Sequence, residues 1–359
     1  MTDHNELTAF LLKQVSSGKT PGLQYQVVKD DETLYCQNLG MAEFESNRPI
    51  MENSFFNACS VTKTFTSLAI MQLAEAGKIK LNDSASGYLD DLPFHRDIKI
   101  SELLSHTSGL PNPIPLRWAH LQEEESEFDY TAFVHELLKK HPGLKFRPGE
   151  KFSYSNLNYL PLGQIIEKVS GLPYRDYIRQ NIFERIGLRG QPLDFLVHDD
   201  SGYARGYQKR FTAMNLILGF FIDRKKFISA SSNPGWVKFN KYYVSGRPYG
   251  GLITNAYALT KFLRELFRPG SPLLAEEWKE VLFEKQITHG GKEVQMTLGW
   301  FTGSLNGVDY FAHAGAGGGY YCEMRMYPLK KMATAIMFNR TGIRDERFLD
   351  KTDRYFMIN

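Results

Sequence analysis

The stretch FNACSVTKTFTSLAIMQLAEAGKIK, residues 56–80, decides how the chain is organised. Apolar residues recur at helical spacing over residues 65–76, and a glycine follows as a C-cap. They cover much of the helix circumference, so the pattern predicts a buried helix. Ser60 stands just ahead of this helix, with Lys63 three positions later.

Ser60 has two interpretations. Taken alone it is a helix N-cap, a position that serine favours strongly. Positions i and i+3 share one face of a helix, so the Lys63 amine can also reach the Ser60 hydroxyl. A lysine near the start of a buried helix needs a partner or a lowered pKa, and a lowered pKa lets it serve as a base. Ser16 and Lys19 have the same spacing but lie in a polar turn.

The composition indicates an ordinary folded protein. Of 359 residues, 42% are hydrophobic and 13% aromatic, which is enough for a large core. The net charge of +3 is too small a bias to indicate nucleic-acid binding. The three cysteines, Cys36, Cys59 and Cys322, form no CxxC pair, so neither a disulfide framework nor a thiolate metal site is expected.

The sequence shows no membrane-spanning pattern. A spanning helix needs roughly 20 apolar residues, and the longest candidate, residues 214–222, is far shorter. The start, MTDHNELTAFLLKQ, carries acidic residues early and predicts a helix rather than a secretory signal. We therefore expect a soluble, cytoplasmic protein, with a periplasmic or secreted location only if the chain was trimmed.

Strand patterns flank a long helical region. The segment GLQYQVVKDDETLYCQNLG predicts two strands joined by a polar turn at residues 29–32. From about residue 250, strand-like runs return as MTLGWFTG, GVDYFAHAG, GYYCEMRMYP and KMATAIMFN. Helices are predicted between these blocks and at the end of the chain, over 130–140, 160–169, 174–182 and 344–356.

This order predicts an α+β fold with two lobes. Residues 1–58 and 248–359 would form a discontinuous α/β lobe, with an antiparallel sheet flanked by helices. Residues 59–247 would form a mainly helical, all-α lobe. The segment 211–228 is interpreted, in order of preference, as a core helix, a lid over a pocket or a membrane-surface patch.

Two further motifs stand in the chain. YSN, residues 154–156, is the only Tyr-x-Asn and lies in a loop just before a helix. HAG, residues 313–315, ends a predicted strand ahead of a glycine cluster. Each is weak alone, since H-x-G also occurs at His141 and His289. We favour His313 because strands flank it, whereas the other two lie in loops.

Together and in this order, the three motifs resemble the serine β-lactamase and penicillin-binding-protein superfamily. The pattern is most similar to the class C branch, with the related family VIII-type carboxylesterases and D-aminopeptidases. KISELLSHTSGLP, FRPGEKFSYSNLNYLPLGQIIEKVSGLPY and PYGGLITNAYALTKF also look like this family. The resemblance runs from about residue 21 to 339 and implies a β-lactamase/transpeptidase-like fold with the active site at the junction of the two lobes. A lid formed by residues 211–228 would then cover an acyl pocket.

The resemblance implies a serine hydrolase that acts on small ester, amide or peptide substrates, as an esterase, a peptidase or a β-lactamase. Ser60 would attack the carbonyl carbon and form an acyl-enzyme. Lys63 and Tyr154 would share the proton transfers, and the sequence does not decide which is the base. Asn156 would hold the Lys63 amine and a substrate carbonyl. No metal or organic cofactor is implied.

The third motif would complete the site. The backbone N–H groups of Ser60 and Ala316, just after Gly315, would form the oxyanion hole. Lactamases and penicillin-binding proteins mostly carry lysine where this chain has His313. Histidine is largely neutral at pH 7, which favours neutral or cationic substrates over anionic ones.

Other functions are weighed against this one. The chain lacks the G-x-S-x-G elbow, and HELLK at 135–139 lacks the second histidine of a zinc-protease helix. An acylated but non-turning-over penicillin-binding or sensor-like protein stays open, because acylation and turnover use the same groups. A purely structural role is disfavoured by the presence of Ser60, Lys63, Tyr154 and Asn156 together. His106 is expected to support a loop.

Overall fold

The computed structural model describes residues 4–90, 92–93, 97–115, 117–191, 193–212, 223–342 and 347–357. The apolar run at 214–222, in the segment predicted as a core helix or lid, lies outside the described residues. The start of the predicted final helix, residues 344–346, does so as well.

Strands occur in both terminal parts of the chain and, as short pieces, between them. They are β1 (Gly22–Lys29), β2 (Glu32–Glu43), β3 (Arg48–Pro49), β4 (Phe56–Asn57), β5 (Ala119–Leu121), β6 (Tyr207–Lys209), β7 (Ile228–Ala230), β8 (Trp236–Phe239), β9 (Tyr242–Val244), β10 (Ile253–Thr254), β11 (Phe301–Leu305), β12 (Val308–Gly317), β13 (Tyr320–Tyr327) and β14 (Met332–Phe338).

The α-helices lie at both ends of the chain and between the strands. They are α1 (His4–Ser16), α2 (Thr62–Glu75), α3 (Ile100–Leu104), α4 (Tyr130–Lys139), α5 (Tyr159–Ser170), α6 (Tyr174–Ile178), α7 (Arg224–Phe227), α8 (Arg247–Gly250), α9 (Ala256–Phe267), α10 (Glu276–Phe283) and α11 (Asp350–Asp353).

The main sheet is antiparallel and is built from both ends of the chain. Its seven strands run in the order β11-β12-β13-β14-β1-β2-β3. The β1–β14 pairing, with Tyr25 opposite Ile336, joins the first and last strands in the middle of the sheet. Because the two ends of the chain pair directly, they form one sheet, and the predicted α+β fold class with an antiparallel sheet and helices is confirmed.

Helices cover both faces of this sheet. On one face, Leu7 and Leu11 of α1 belong to a core cluster with Tyr25 and Ile336 of the sheet. On the other face, α9 contacts β1, β13 and β14. The second core is larger and extends from α9 into the helices of the central region, including α2 and α5. Every residue of α2 except Glu75 is buried, as the apolar pattern predicted.

The central region is mainly helical, but it also contains short strands. β5 pairs with β9, and β6, β8 and β7 form a three-stranded sheet. These strands have three or four residues, which is too short for an alternating pattern to be visible in the sequence. The lobe boundaries at residues 59 and 247 remain a prediction.

Two predicted elements differ from the structure. The run MTLGWFTG becomes a strand only from Phe301, because Gly299 has a φ of +93° and interrupts the extended backbone. The last helix is shorter than predicted: α11 has four residues, and a 3₁₀ turn follows at Arg354–Phe356. Within the described ranges, no helix combines the length and apolar character that crossing a membrane requires.

Candidate active site

Ser60 lies on a 3₁₀ turn, Cys59–Val61, that runs directly into α2. The Cys59 backbone has a φ of +50°, in the left-handed region that non-glycine residues seldom adopt. The hydroxyl of Thr62 donates to the Cys59 carbonyl (2.6 Å), which holds the turn. The N-cap of α2 is Val61, without a side-chain cap. Ser60 is therefore not the cap residue of this helix, and it is half-buried where its neighbours on both sides are buried.

Lys63 is fully buried, and its amine has three polar neighbours. Nζ lies 3.0 Å from Ser60 Oγ, and it donates to Asn156 Oδ1 (2.9 Å) and to the Tyr249 carbonyl (2.8 Å). Burial holds the pKa of the Lys63 amine well below its usual range, because desolvation penalises the ammonium form. The structure therefore brings Ser60 and Asn156 each into direct contact with the Lys63 amine.

Three tyrosine rings surround this amine. The ring centroids of Tyr154, Tyr249 and Tyr159 lie 5.1, 5.3 and 5.5 Å from Lys63 Nζ. Tyr154 is half-buried and belongs to the loop that leads into α5. The structure thus places the predicted phenol beside the predicted serine–lysine pair.

His106 supports the Tyr154 loop, as expected from the sequence. Its Nδ1 accepts hydrogen bonds from the Ser155 N–H (3.1 Å) and from Asn158 Nδ2 (2.9 Å), and its carbonyl accepts from the Ser153 N–H (2.9 Å). Its ring packs 4.3 Å from the Tyr154 ring, centroid to centroid. Burial, together with the nearby charge of Lys63, lowers the pKa of His106 well below its usual value. His106 is therefore a neutral, fixed support for Tyr154.

Asn156 is held in place through both its side chain and its backbone. Its side-chain oxygen accepts from Lys63, and its backbone N–H donates to Asn112 Oδ1 (3.0 Å). The side chain is 8% exposed, so little of it is open to solvent.

His313 lies on β12 and is 1% exposed. Nδ1 lies 2.9 Å from the Ala314 carbonyl, to which it donates, and Nε2 is buried without a hydrogen-bond partner among the described residues. Burial, and after it the charge of Lys63, lowers the pKa of His313 to about 3. His313 is therefore neutral at physiological pH, as the residue type suggested.

Gly315 lies against the backbone at Ser60. A Cβ atom added to Gly315 would stand 2.5 Å from Ser60 N and 2.5 Å from the Ala58 carbonyl oxygen. Ala316 is the next residue of β12 and is exposed. Strand β11 pairs with β12 only as far as Ala312. It therefore forms no strand pairing with Gly315 and Ala316.

We expect Gly315→Ala to lower kcat by roughly 10²–10³-fold, the usual effect of losing one oxyanion donor. The methyl group of alanine at position 315 would stand 2.5 Å from the Ser60 nitrogen, so the backbone there must shift and the Ser60 N–H moves with it. The measurement is kcat on an activated ester, with circular dichroism to verify folding. Gly143→Ala is the matched control, since an added Cβ there meets no described atom within 4 Å. An unchanged kcat in Gly315→Ala would contradict this close approach.

Sequence reasoning missed several contributors to the site. The Tyr249 carbonyl, Asn112 and Phe301 were not singled out. Tyr249 contributes a backbone carbonyl, which any residue carries, so no residue type could have indicated it. Phe301 lies in a run interpreted only as a strand, and its ring contacts Tyr154 and His313.

The arrangement of sheet and helices is a β-lactamase/transpeptidase-like fold. The D-amino acid amidase from Ochrobactrum anthropi SV3 complexed with D-phenylalanine aligns with a TM-score of 0.76 at 19% identity, over 98% of this chain and 96% of that one. That likeness concerns the fold alone. The octameric penicillin-binding protein homologue from Pyrococcus abyssi aligns with a TM-score of 0.73 at 25% identity, over 94% of this chain and 73% of that one.

The family model described as Beta-lactamase matches residues 7–355, and the chain belongs to this family. Penicillin-binding protein 4* of Bacillus subtilis (strain 168) is 26% identical over 307 residues, covering 82% of this chain and 63% of that protein. Protein flp of Staphylococcus aureus (strain MW2) is 29% identical over 208 residues, covering 56% of this chain and 41% of that protein. The chain thus spans less than two thirds of either relative. The superfamily identified from the three motifs is confirmed.

Proposed function

We propose that this protein is a serine hydrolase that cleaves small amides or esters through an acyl-enzyme on Ser60. One observation carries the proposal: the buried Lys63 amine lies 3.0 Å from Ser60 Oγ and is oriented by two carbonyl oxygens. Among the solved structures with this fold are the D-amino acid amidase from Ochrobactrum anthropi SV3, a D-stereospecific amidohydrolase from Streptomyces sp. and a β-lactamase/D-alanine carboxypeptidase from Pseudomonas syringae. Their names support an amide bond as a target, and the ester is our extension of it, since the same acyl-enzyme chemistry cleaves esters.

Counting hydrogen atoms on the amine favours Lys63 as the base. A neutral amine has two N–H groups and one lone pair. The Asn156 side-chain oxygen and the Tyr249 carbonyl can only accept, so they take both N–H groups. The lone pair then faces Ser60 and accepts its O–H. Burial favours this neutral form.

The proposed reaction has two stages. Lys63 takes the proton as Ser60 Oγ bonds to the carbonyl carbon, and the backbone N–H groups of Ser60 and Ala316 stabilise the oxyanion. The proton passes through Tyr154 to the leaving nitrogen or oxygen as its bond to carbon breaks. Water then attacks the ester on Ser60, assisted by Tyr154 and Lys63, and releases the acid. The neutral His313 favours neutral or cationic substrates.

Intact-mass measurement separates the hydrolase from an acylated sensor. The protein is mixed with a nitrophenyl ester, a penicillin and a D-alanine peptide, and both product and adduct are followed over time. Product release without a persistent adduct supports the hydrolase. A stable adduct without product supports the sensor. Absence of both would contradict the proposed function.

We expect Asn156→Asp to move the acidic limb of kcat/KM to higher pH by roughly 1–3 units, since a carboxylate beside an amine favours the ammonium. Lys63 works as a base only when neutral, so activity rises as pH passes its pKa. Raising the pKa of Lys63 therefore shifts the increase in kcat/KM to higher pH and lowers activity near pH 7. The pH profile of Asn156→Ala is the control, because that variant loses the contact without gaining a charge. If the acidic limb of the Asn156→Asp pH profile is unchanged or moves to lower pH, Lys63 is excluded as the titrating base.

A further inference from the structure

A cluster of aromatic rings adjoins the site. Phe301, the first residue of β11, has its ring 6.3 Å from the Tyr154 ring at an interplanar angle of 18°. The same ring meets the His313 ring edge-on at 5.4 Å and the Phe152 ring at 6.4 Å. Phe152 is 39% exposed, so the cluster continues outward to solvent. We call Phe152 and Phe301 the aromatic wall.

The two basic side chains at the site, Lys63 and His313, offer no free N–H to a carboxylate. The N–H groups of the Lys63 amine are engaged by the Asn156 and Tyr249 oxygens. His313 donates from Nδ1 to the Ala314 carbonyl, which leaves a lone pair on its buried Nε2. A lone pair accepts a hydrogen bond and repels an anion. The surroundings therefore suit an uncharged group better than an anionic one.

We propose that the aromatic wall is a subsite for an uncharged aromatic or bulky apolar leaving group. The inference rests on the proposed function, in which Tyr154 protonates the leaving atom. Phe301 contacts both Tyr154 and His313, so a group attached to that atom extends along the wall. Aromatic rings pack there edge-to-face or offset, as the wall residues already do among themselves. Neither phenylalanine is used by the serine–lysine chemistry.

The test compares esters that share one acyl group. D-alanine benzyl ester and D-alanine methyl ester release alcohols of similar acidity, so their kcat/KM ratio reports binding of the leaving group. D-alanine 4-carboxybenzyl ester adds only a charge. We expect the wild-type protein to prefer the benzyl ester by about tenfold or more, and the carboxylate to remove that preference. In Phe301→Ala and Phe152→Ala the benzyl-to-methyl ratio should fall to about 1, with the methyl ester still hydrolysed.

Two controls keep the test decisive. Phe152 is partly exposed, so its substitution leaves a folded protein even if Phe301→Ala does not fold. Phe44→Ala, at the opposite edge of the sheet, should retain the wild-type ratio. A wild-type ratio near 1, or a ratio unchanged in both wall variants, would overturn the subsite and leave the hydrolase standing. If wild-type protein hydrolyses none of the esters, the proposed function fails and the subsite with it.

Discussion

Ser60→Ala is expected to lose about 10⁴–10⁶-fold in kcat, the range found when the nucleophile of a serine hydrolase is removed. Alanine lacks the oxygen that forms the acyl-enzyme, and no intact-mass adduct should appear. Ser60 is half-buried beside Lys63 and caps no helix, so the change removes little of the packing. The measurement is ester turnover under single-turnover and steady-state conditions, with thermal unfolding to compare stability.

The chain offers a matched control in its other S-x-x-K. Ser16 has a lysine at the same spacing but is exposed at the end of α1. Ser16→Ala should keep wild-type turnover and adduct formation. Equal ester turnover in wild-type protein and Ser60→Ala would refute the mechanism.

Lys63→Met and Lys63→Arg are both expected to lose about 10²–10⁴-fold in kcat, the usual contribution of a positioned base. Methionine keeps much of the apolar stem but has no amine. Arginine keeps hydrogen-bond donors but is permanently protonated, so it carries a positive charge and cannot accept the Ser60 proton. The comparison therefore distinguishes a base from a fixed cation.

The informative measurement is the ratio between these two variants. If catalysis depends on the lone pair of Lys63, kcat should fall by equal, large factors in Lys63→Met and Lys63→Arg. The unfolding midpoint of each protein accompanies the kinetics, because Asn156 and Tyr249 lose a donor in Lys63→Met. Activity in Lys63→Arg within about tenfold of wild type would show that a cation suffices, contrary to the proposed proton transfer.

The sequence alone indicated which side chains meet at the site better than it indicated the groups that support them. Ser60 and Lys63 could be singled out by their spacing ahead of a buried helix, and Tyr154 because the order of the three motifs resembles a known family. The Tyr249 carbonyl could not, because it is a backbone atom 186 residues away from Lys63. The need for glycine at 315 was also hidden, since it arises only when β12 meets the turn at Ser60.

The prediction of strands from the sequence was wrong where packing against another element sets the backbone conformation. The long runs of β1 and β12–β14 were correctly placed, because apolar and aromatic strand formers bounded by turn residues mark them, although β1, β13 and β14 are buried on both faces and show no alternation. The residues before Phe301 were predicted as strand from their apolar character, yet Gly299 packs against Ser67 of α2 with its left-handed backbone. Apolar residues mark burial there, and only the packing decides the conformation.

Peptide mapping of a trapped covalent adduct, acyl from a β-lactam or phosphonyl from a phosphonate, tests the Ser60–Lys63 chemistry most directly. The protein is treated with a slowly hydrolysed β-lactam or an activated phosphonate, denatured, and cleaved after lysine and arginine. The account predicts the added mass on Ser60, in the peptide that ends at Lys63, and labelling of Ser60 that is slowed by about 10²-fold or more in Lys63→Met. An adduct on another residue, or full labelling of Ser60→Ala, would contradict it.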